Sequence, residues 1–488
     1  MKFLKDILIG FDFELIQGSI EEKKVASLDF DSRQVSNNSV FCAIRGEKAD
    51  GHDYIEDALN NGCRIIICER PIKLSDQSVT CLLVSDSSVA LAFMSGAFYN
   101  YPSKKINLVG ITGTNGKTTT ATLLHDLYSN LGYECGLIST VVNKVGDREI
   151  QSTHTTPNTV SLNSLLLDMV EAGCSHCFME VSSHSVVQNR TLGVQFIGGV
   201  FTNISHDHLD YHKTFNDYIK AKKRFFDNLS SDSFALVNSD DKNGSVMIQN
   251  TKAAQHTYAL KSPAHFKAKI IENEISGLIM NMDGVEFYSR LIGRFNAYNL
   301  LTVFAVARLL GEDKIKTLSA LSVLKSVDGR FQYVKGLDGP TAIIDYAHTP
   351  DALENVLSTI NSIKKNQSKL YTVIGCGGDR DSSKRPAMAA IASRLSDQII
   401  LTSDNPRNEN PEAILEDMKK GLDDRQKNEA ISISDRREAI KLALKLANVK
   451  DIVLLAGKGH EKYQEIKGVR HDFDDYQIAS EFLNQINN

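Results

Sequence analysis

The stretch INLVGITGTNGKTTTATLLHDL, residues 106–127, is the strongest indication of fold in this chain. Its first six residues form an apolar run that indicates a buried strand, and residues 120–127 have the apolar spacing of a helix. Between them lies TGTNGKTT (112–119), which we name the glycine-rich loop. A strand, a glycine-rich turn and a helix in this order are the context that a phosphate-binding loop requires.

The residue types in this loop suit the phosphates of ATP. Gly113 and Gly116 let backbone N–H groups approach phosphate oxygens, Lys117 can reach the β- and γ-phosphates, and Thr118 offers a hydroxyl to Mg²⁺. The usual Walker spacing is not met, because Gly113 stands three residues before Gly116 and Gly110 six before it. A glycine-rich turn beside a surface lysine is the structural alternative. The flanking strand and helix favour an enzyme that consumes ATP.

Length and composition suggest a globular enzyme of about three domains. Among the 488 residues, 42% are hydrophobic and the formal net charge is −5, so a generally basic nucleic-acid surface is not expected. The N-terminus lacks the features of a signal peptide, and no apolar run approaches the length of a membrane span. The eight scattered cysteines indicate reduced thiols in a cytoplasmic protein, with half a zinc site at Cys174 and Cys177 as the alternative.

The order of strand-like and helix-like segments predicts an α/β protein of three domains. Residues 1–103 suggest a small α/β domain, and residues 104–336 a central P-loop ATPase domain with a mainly parallel sheet. In residues 337–488 the alternation restarts as an open, Rossmann-like unit. The predicted strands cover residues 39–44, 64–68, 81–84, 106–111, 177–181, 198–202, 234–237, 341–345, 370–374, 398–402, 430–433 and 451–455.

Two polar segments in the central part follow predicted strands. Glu180 ends an apolar strand and is a reasonable second ligand for the metal of ATP, although a helix N-cap or a strand-end salt bridge is an equal alternative. The segment NISHDHLDYH (203–212) has three histidines, which could bind zinc. One histidine on Mg²⁺, with the others in hydrogen-bond networks, is the interpretation that agrees better with a nearby ATP site.

Three motifs in the last domain concentrate groups that could bind an amino acid. GGDRD (377–381) with Lys384 and Arg385, SDNPRNE (403–409) and GKGHE (457–461) each follow a predicted strand. Arginine forks suit a planar carboxylate, and Pro406 fixes the turn that directs Arg407. Structural salt bridges are the alternative for each motif alone. The sequence has no Gly-x-Ser-x-Gly elbow or convincing cysteine–histidine pair, so an ATP-driven reaction between two substrates is expected.

The motifs together resemble a known family. TGTNGKTT, EVSSH (180–184), NISHDHLDYH, GRFNAYN (293–299), DGRFQ (328–332), DYAHTPDALE (345–354), GCGGDRDSSKRP (375–386), SDNPRNENP (403–411) and AGKGHE (456–461) occur in this order. They resemble the Mur ligases, specifically the UDP-N-acetylmuramoyl-tripeptide synthetases, over nearly the whole chain. The resemblance implies domains for the UDP-sugar, for ATP and for the incoming amino acid. It also implies a cytoplasmic reaction of peptidoglycan synthesis, in which ATP and Mg²⁺ activate UDP-MurNAc-L-Ala-D-Glu as an acyl phosphate and the amine of meso-diaminopimelate attacks it.

The same resemblance implies site residues, matched motif by motif. For ATP these are Gly113, Thr114, Asn115, Gly116, Lys117, Thr118, Thr119, Asn296, Arg330, Asp345 and His348. For the metal they are Thr118, Glu180, His208 and Lys222 as a carbamate, with Lys117, Lys222 and His208 as catalytic residues. For the UDP-sugar peptide they are Phe30, Ser32, Glu47, Lys48, Ala49, Thr155, Thr156, Ser182, Gln188 and Arg190. For diaminopimelate they are Arg380, Asp404, Asn405, Pro406, Arg407, Gly457 and Glu461.

Arg407 decides between two acceptors in this resemblance. Diaminopimelate has a second carboxylate at its far end, where lysine has only an ammonium, and the lysine-adding relatives lack this arginine. Lysine would leave Arg407 desolvated beside another cation, so the sequence predicts diaminopimelate. A lysine-adding ligase, a folylpolyglutamate synthetase, an inactive nucleotide-binding scaffold and a zinc hydrolase built on the histidines of 206–212 are the alternatives. Departures from the family at Asn37, Asn38 and His154 concern the UDP-substrate side.

Overall fold

The chain forms two compact units in a computed structural model that describes residues 1–46, 49–205, 209–336, 339–365 and 367–486. The first unit comprises Met1–Gly113, Leu124–Thr202 and Asn216–Thr257. The second comprises Thr114–Leu123, Asn203–Phe215 and Tyr258–Asn488. The chain therefore passes between the units several times.

The regular elements alternate along the described chain. The strands are β1 (Lys2–Phe3), β2 (Phe13–Gln17), β3 (Lys24–Val25), β4 (Ser27–Asp29), β5 (Ser39–Cys42), β6 (Ile65–Cys68), β7 (Thr80–Val84), β8 (Asn107–Thr112), β9 (Cys135–Ile138), β10 (Val142–Val145), β11 (Arg148–Gln151), β12 (His176–Glu180), β13 (Gly198–Phe201), β14 (Phe234–Asn238), β15 (Ala254–Ala259), β16 (Phe266–Glu274), β17 (Gly277–Met282), β18 (Val285–Ser289), β19 (Gln332–Lys335), β20 (Thr341–Asp345), β21 (Leu370–Cys376), β22 (Gln398–Ser403), β23 (Ile431–Ser432), β24 (Ile452–Ala456), β25 (Tyr463–Ile466) and β26 (Val469–Asp472). The helices are α1 (Ile55–Asn60), α2 (Ser87–Phe98), α3 (Lys117–Asn130), α4 (Thr159–Glu171), α5 (Ser183–Val187), α6 (Leu209–His212), α7 (Phe215–Asp227), α8 (Gly244–Met247), α9 (Arg294–Leu309), α10 (Lys314–Ser322), α11 (Pro350–Ile363), α12 (Lys384–Leu395), α13 (Pro411–Lys419), α14 (Asp424–Glu429), α15 (Arg436–Leu446) and α16 (Asp475–Ile486).

The first unit contains two sheets that carry its motifs. An N-terminal sheet has the order β2-β7-β6-β5-β4, in which β2 is antiparallel to β7 and the other pairs are parallel. In the second sheet, β9, β12, β8, β13 and β14 are parallel neighbours, and β10 and β11 add an antiparallel edge beside β9. Residues of β8 and β12 are buried almost throughout, as expected for parallel strands covered on both faces.

The second unit contains a six-stranded sheet of the order β19-β20-β24-β21-β22-β23, parallel except for β19. Alternate residues of its strands pack on opposite faces: Ile343 joins a core with α11, α12 and α13, whereas Ala342 and Ile344 join a core with α15 and α16. The sheet is therefore covered by helices on both sides, as in a Rossmann-like unit. Strands β16, β17 and β18 form an antiparallel meander in the same unit.

These elements confirm the predicted α/β class and the mainly parallel sheets. Each predicted strand is present with bounds that differ by at most a few residues, such as Thr341–Asp345 at 341–345. The antiparallel β10–β11, β16–β18 and β25–β26 were not predicted. Strands β11, β16 and β26 are mostly exposed and interrupted by charges, so the sequence shows no apolar run there. The domain boundaries near residues 103 and 336 stay predictions. In the described part of the chain, no helix has both the length and the apolar character that a membrane span requires.

Candidate functional site

The glycine-rich loop is fixed by the segment that follows β13. Thr114 N–H donates to the Asn203 carbonyl at 2.8 Å, and Asn115 N–H donates to Asn203 Oδ1 at 3.0 Å. Asn203 Nδ2 donates back to the Asn115 carbonyl at 3.0 Å. Gly116 has a φ of 85°, which favours glycine, and helix α3 begins at the next residue, Lys117. The loop thus has the strand–turn–helix geometry of an anion site.

Asp351 also holds this loop, and the sequence did not reveal it. Its Oδ2 accepts hydrogen bonds from Asn115 Nδ2 at 2.8 Å and from Ser205 Oγ at 2.7 Å. Asp351 stands in the first turn of α11, where an acidic residue is expected for the helix dipole alone. Its position after the DYAHTP motif was therefore insufficient to indicate this contact.

The Glu180 side chain is fully buried at the end of β12. Its Oε1 accepts a hydrogen bond from Thr140 N–H at 2.7 Å, whereas Oε2 has no hydrogen-bond partner among the described residues. The N-cap of α5 is Ser182 rather than Glu180, and no salt bridge joins Glu180 to a described residue. A buried carboxylate oxygen with no partner in the described part of the chain agrees with a cation ligand, because such an oxygen is costly unless something binds it.

Lys222 is buried on α7, with 1% of its surface exposed. Its Nζ donates to the Gly113 carbonyl at 2.8 Å and lies 4.6 Å from the centroid of the Tyr218 ring. The apolar face of α7 places it there, since Tyr218 and Phe226 are buried on the same helix. The ammonium of Lys222 is therefore kept from water at the start of the glycine-rich loop.

The described residues contain no cluster of three histidine, cysteine, aspartate or glutamate side chains arranged to bind a metal. The eight cysteines are free and buried, so Cys174 and Cys177 belong to no such group. Of the predicted metal ligands, His208 lies outside the described residues, as does His206. Thr118, Glu180 and Lys222 are therefore the predicted ligands whose surroundings can be described.

A cluster of ring and charged groups surrounds Tyr346 in the second unit. The Arg330 guanidinium lies 4.6 Å from the Tyr346 ring centroid, and its Nη2 donates to Thr118 Oγ1 at 3.2 Å. Asp345 Oδ2 accepts from the Phe331 N–H at 2.8 Å. Burial raises the pKa of Asp345 to about 6, with Arg330 acting in the opposite direction.

His460 lies against this cluster, with its ring centroid 4.9 Å from that of Tyr346. Burial and the positive charge of Arg330 lower the pKa of His460 to about 3. Its Nδ1 is buried and has no hydrogen-bond partner in the described chain. His348 contacts Tyr346 from an exposed position, with Nδ1 at 2.8 Å from the Tyr346 carbonyl.

The remaining residues predicted for ATP are buried in or beside helices. Asn296 Nδ2 donates to the Ile292 carbonyl at 2.8 Å, and Asn296 Oδ1 accepts from Asn299 Nδ2 at 3.0 Å. Thr119 is buried near the start of α3. The structure thus brings Thr118, Arg330 and Asp345 close together and gives Asn296 a helix-supporting contact.

Several residues predicted for the UDP-sugar peptide form one network in the first unit. Arg190 Nη1 donates to the Thr156 carbonyl at 2.7 Å, and its Nε donates to Gln188 Oε1 at 2.9 Å. Thr156 Oγ1 donates to the Glu180 carbonyl at 2.8 Å and accepts from the Ser182 N–H at 3.1 Å. This network connects the proposed UDP-substrate side to the strand that carries the candidate metal ligand.

Other residues on this side have separate contacts. Thr155 Oγ1 accepts from Thr140 Oγ1 at 3.0 Å, and the Ser32 carbonyl accepts from Asn61 Nδ2 at 3.0 Å. Phe30 is exposed, and the Ala49 carbonyl accepts from the Gly46 N–H at 2.9 Å. Glu47 and Lys48 lie outside the described residues. At the departure His154, burial and the charge of Arg190 lower the pKa of the imidazole.

Most of the residues predicted for diaminopimelate lie at the carboxyl ends of β22 and β24. Asn405 Nδ2 donates to Glu461 Oε2 at 2.7 Å, and Lys458 Nζ lies 3.6 Å from Asp404 Oδ1. Gly457 has a φ of 112°, and an added Cβ would lie 2.8 Å from Asp404 Oδ2, so glycine is required there. We name Asp404, Asn405, Arg407, Lys458 and Glu461 the acceptor pocket.

Arg407 is held in this pocket by backbone and side-chain contacts. Its φ of 50° is unusual for a residue with a side chain, and its backbone bridges to Ile466 of β25. Its Nη1 donates to the Gly378 carbonyl at 2.8 Å, and its Nε lies 3.6 Å from Glu465 Oε2. The carbonyl oxygen of Pro406, the preceding residue, packs against Gly378. A Cβ at residue 378 would lie only 2.0 Å from this oxygen. The guanidinium is therefore positioned before any substrate arrives.

The structure places the two arginines of the motif after β21 in different surroundings. Arg385 is buried and pairs with Glu409 at 2.8 Å and with Asp417 at 2.9 Å, so it forms structural salt bridges. Arg380 is exposed on the loop after β21. Lys458, which the sequence did not single out, is fully buried among the pocket residues. Its place inside GKGHE after a predicted strand was the available signal.

Comparisons with known proteins identify the family of the chain. The sequence matches three domain families: Mur ligase family, catalytic domain, at residues 24–99; Mur ligase middle domain at 111–307; and Mur ligase, glutamate ligase domain, at 329–459. These three matches confirm the predicted three-domain organisation.

Relatives that have assigned names match almost the full length of the chain. The UDP-N-acetylmuramoyl-L-alanyl-D-glutamate–2,6-diaminopimelate ligase of Cytophaga hutchinsonii is 54% identical over 484 residues, which is 99% of each chain. The ligase of the same name from Bacteroides fragilis is 49% identical over 481 residues, covering 98% of this chain and 99% of the relative.

Two solved structures also match the chain over most of its length. A UDP-N-acetylmuramoyl-L-alanyl-D-glutamate–2,6-diaminopimelate ligase matches with a TM-score of 0.69 and 33% identity, covering 97% of both chains. The MurF ligase of Thermotoga maritima in complex with ADP matches with a TM-score of 0.62 and 19% identity, covering 95% of this chain and 99% of that one, which is a likeness of fold. The chain belongs to the Mur ligase family and, within it, to the group of UDP-N-acetylmuramoyl-L-alanyl-D-glutamate–2,6-diaminopimelate ligases.

Proposed function

We propose that this chain is an ATP-dependent ligase that adds meso-2,6-diaminopimelate to UDP-MurNAc-L-Ala-D-Glu in peptidoglycan precursor synthesis. The γ-carboxylate of D-glutamate attacks the γ-phosphorus of ATP, and ADP leaves. The amine of diaminopimelate then attacks the acyl carbon, an amide forms, and inorganic phosphate leaves. The relatives that match the whole chain support this reaction, since their names specify the same donor and acceptor.

The proposed ATP site begins with the glycine-rich loop. Backbone N–H groups from Gly113 to Thr119 and the ammonium of Lys117 bind the phosphates, because the loop opens a helix N-terminus. Arg330, which already donates to Thr118, adds positive charge toward the transferred phosphoryl group. Asn296, Asp345 and His348 are proposed to contact the rest of the nucleotide.

Mg²⁺ is proposed to bind at Glu180, at Lys222 as its carbamate, at Thr118 and at His208. The buried Oε2 of Glu180, which has no partner among the described residues, fits a hard cation. A carbamate would turn the buried cation of Lys222 into an anion, which suits a divalent metal. When bound, the metal would neutralise phosphate charge. The residues of the chain then need only orient the carboxylate for attack and keep water away from the acyl phosphate.

The position of Arg407 is the observation that supports diaminopimelate as the acceptor. The guanidinium is anchored by Gly378 and Glu465, so its planar fork is preorganised for a carboxylate. Asp404 and Glu461 are proposed to bind the neighbouring ammonium, with Asn405, Pro406 and Gly457 shaping the pocket and Arg380 at its exposed rim. At the end away from the reacting amine, diaminopimelate has an ammonium and a carboxylate on one carbon and meets both requirements, whereas lysine has only an ammonium there and meets one.

The first experiment measures ADP release with UDP-MurNAc-L-Ala-D-Glu and either meso-diaminopimelate or L-lysine. Turnover with diaminopimelate, and little or none with lysine, is the expected result. Turnover with lysine alone would overturn the acceptor assignment, and no turnover with either would overturn the ligase reaction. Omitting the UDP-substrate is the control for ATP hydrolysis that is not coupled to ligation.

The proposed setting is the cytoplasm, where the UDP-linked precursor, ATP and Mg²⁺ would be available together. Its partners there are small molecules, and neither nucleic acid nor membrane insertion is proposed. The products serve cell-wall synthesis, and through it cell shape and division.

A further inference from the structure

Lys458 is a buried cation whose polar partners are all residues of the acceptor pocket. None of its surface is exposed. Its ammonium lies 3.1 Å from Asn405 Oδ1, 3.2 Å from Glu461 Oε2 and 3.6 Å from Asp404 Oδ1. The rings of Tyr463 and Phe473 lie farther away, with centroids at 5.6 and 6.0 Å. A charge in such surroundings is tolerated only when fixed opposite charges surround it.

The contacts of Lys458 leave part of each carboxylate unused. At Glu461, Oε2 accepts from both Lys458 and Asn405, whereas no described residue donates to Oε1. At Asp404, Oδ1 faces Lys458. A Cβ at residue 457 would lie 2.8 Å from Oδ2, so the glycine at this position leaves the space beside Oδ2 open. The unused oxygens can accept from a bound ammonium, while Lys458 fixes the orientation of both carboxylates.

The charges in this part of the pocket can be counted. Asp404 and Glu461 contribute two negative charges, and Lys458 offsets one of them. Arg407 lies beside Glu465, and those two charges offset each other. One negative charge therefore remains for the ammonium of an acceptor, and the Arg407 N–H groups that contact neither Gly378 nor Glu465 remain as donors for its carboxylate. Without Lys458, the pocket would favour a ligand with more positive charge.

We propose that Lys458 is a positioning residue that determines acceptor specificity. By offsetting one charge of the Asp404–Glu461 pair and fixing both carboxylates, it makes the pocket select an end group that is zwitterionic over one that is only cationic. This inference rests on the proposed function and deepens it. Lys458 acts through Asp404, Asn405 and Glu461, and Arg407 recognises the carboxylate itself.

The test compares kcat/KM for meso-diaminopimelate and for L-lysine in the wild type and in Lys458→Met, which keeps the length of the side chain and removes its charge. We expect the preference for diaminopimelate over lysine to fall by about tenfold or more, as for the loss of a charged hydrogen-bond partner. The KM values for ATP and UDP-MurNAc-L-Ala-D-Glu should not change. Lys462→Met removes a neighbouring exposed charge and should leave the preference unchanged.

A structural role for Lys458 alone gives a different result. In that case the KM for both acceptors rises together and their ratio stays constant, which overturns the proposal. If Lys458→Met does not fold, Lys458→Gln replaces it, since the amide can still donate to Asn405 and Glu461 without a charge. Lys458→Arg, which restores the charge, should recover more of the preference than Lys458→Gln does, and equal preferences would overturn the proposal.

The outcomes also separate this inference from the proposed function. A wild type that does not use diaminopimelate overturns the reaction, and the role of Lys458 falls with it. A wild type that uses diaminopimelate, together with a Lys458→Met enzyme of unchanged preference, overturns the role of Lys458 alone.

Discussion

Asn115 of the glycine-rich loop donates a hydrogen bond of 2.8 Å from its Nδ2 to Oδ2 of Asp351, a residue 236 positions later in the chain. The same oxygen accepts from Ser205 Oγ at 2.7 Å. Helix α11 therefore fixes the loop through one carboxylate oxygen. The loop conformation that the proposed ATP site needs depends on a residue far from it in sequence.

Replacing Asp351 by alanine should weaken ATP binding. A hydrogen bond to a charged group contributes about 1.5–3 kcal/mol, so the KM for ATP should rise by about ten- to a hundredfold. The KM for diaminopimelate should change little. Glu354→Ala is the matched control, because Glu354 lies on the same helix in an exposed pair with Arg394. Equal KM values for ATP in Asp351→Ala and the wild type would show that the contact does not position the loop.

Replacing Glu180 by glutamine should raise the Mg²⁺ requirement. The amide oxygen can still accept from Thr140 N–H, but the charge that a divalent cation needs is removed. We expect the Mg²⁺ concentration for half-maximal activity to rise by about tenfold or more. The stabilisation of the protein by Mg²⁺ with ADP, measured by thermal unfolding, should decrease as well. The exposed Glu171→Gln is the control, and an unchanged Mg²⁺ requirement in Glu180→Gln would refute the ligand assignment.

Lys222 should carry a carbamate when bicarbonate is present. In ¹³C-bicarbonate, the wild type should give a carbamate carbonyl signal by NMR, and Lys222→Arg should lack both this signal and turnover, because arginine stays cationic. Lys223→Arg is the control, since Lys223 pairs with Asp227 at 2.6 Å on the same helix. A Lys222→Arg enzyme with normal turnover would contradict the role of the carbamate.

Asp345 and His460 should contribute opposite pH dependences to stability. The pKa of Asp345 is raised from 3.8 to about 6, so the folded state binds the extra proton and stability falls as pH rises through that interval. The pKa of His460 is lowered from 6.5 to about 3, so the unfolded state binds the extra proton and stability is lost as pH falls below 6.5. Between about pH 4 and 6 the two contributions cancel.

Single replacements should reveal each contribution. In Asp345→Asn, the free energy of unfolding should rise with pH between 4 and 6 relative to the wild type, by roughly 1 kcal/mol per pH unit. In His460→Gln it should fall by a similar amount over the same interval. Urea unfolding at several pH values measures both. If the wild type and the two variants have parallel pH profiles, the pKa shifts given for Asp345 and His460 are wrong.

Replacing Arg407 by alanine should remove acceptor selectivity. A site built around a polar group discriminates strongly against a ligand that lacks it, so the preference for diaminopimelate over lysine should fall by about a hundredfold or more. Arg470→Ala is the control, because Arg470 lies on the adjacent hairpin, 4.3 Å from the Tyr463 ring centroid. Unchanged discrimination against lysine would refute the role of Arg407 while leaving the ligase reaction intact.

The sequence alone was sufficient for most of the buried parallel strands and for the motifs at their ends, although β9 was not predicted. Strands β8, β12, β20 and β24 are covered on both faces, so they appear as uninterrupted apolar runs. The half-exposed strand β16 has charges among its apolar residues, and the pattern therefore did not distinguish it from a loop. Local pattern reports burial and conformational preference, which is why the α/β class could be predicted.

The tertiary structure decided which side chains meet. The sequence did not single out Asp351 or Lys458, since an aspartate in a first helical turn and a lysine in a polar motif after a strand are ordinary on a surface. The sequence left two possibilities for Arg385, a carboxylate-binding group or a structural salt bridge, and folding pairs it with Glu409 and Asp417. Such contacts join residues from separate strands and helices. They depend on the order of strands in the sheet and on where each loop turns, so spacing along the chain determined the chemical types available and folding determined their partners.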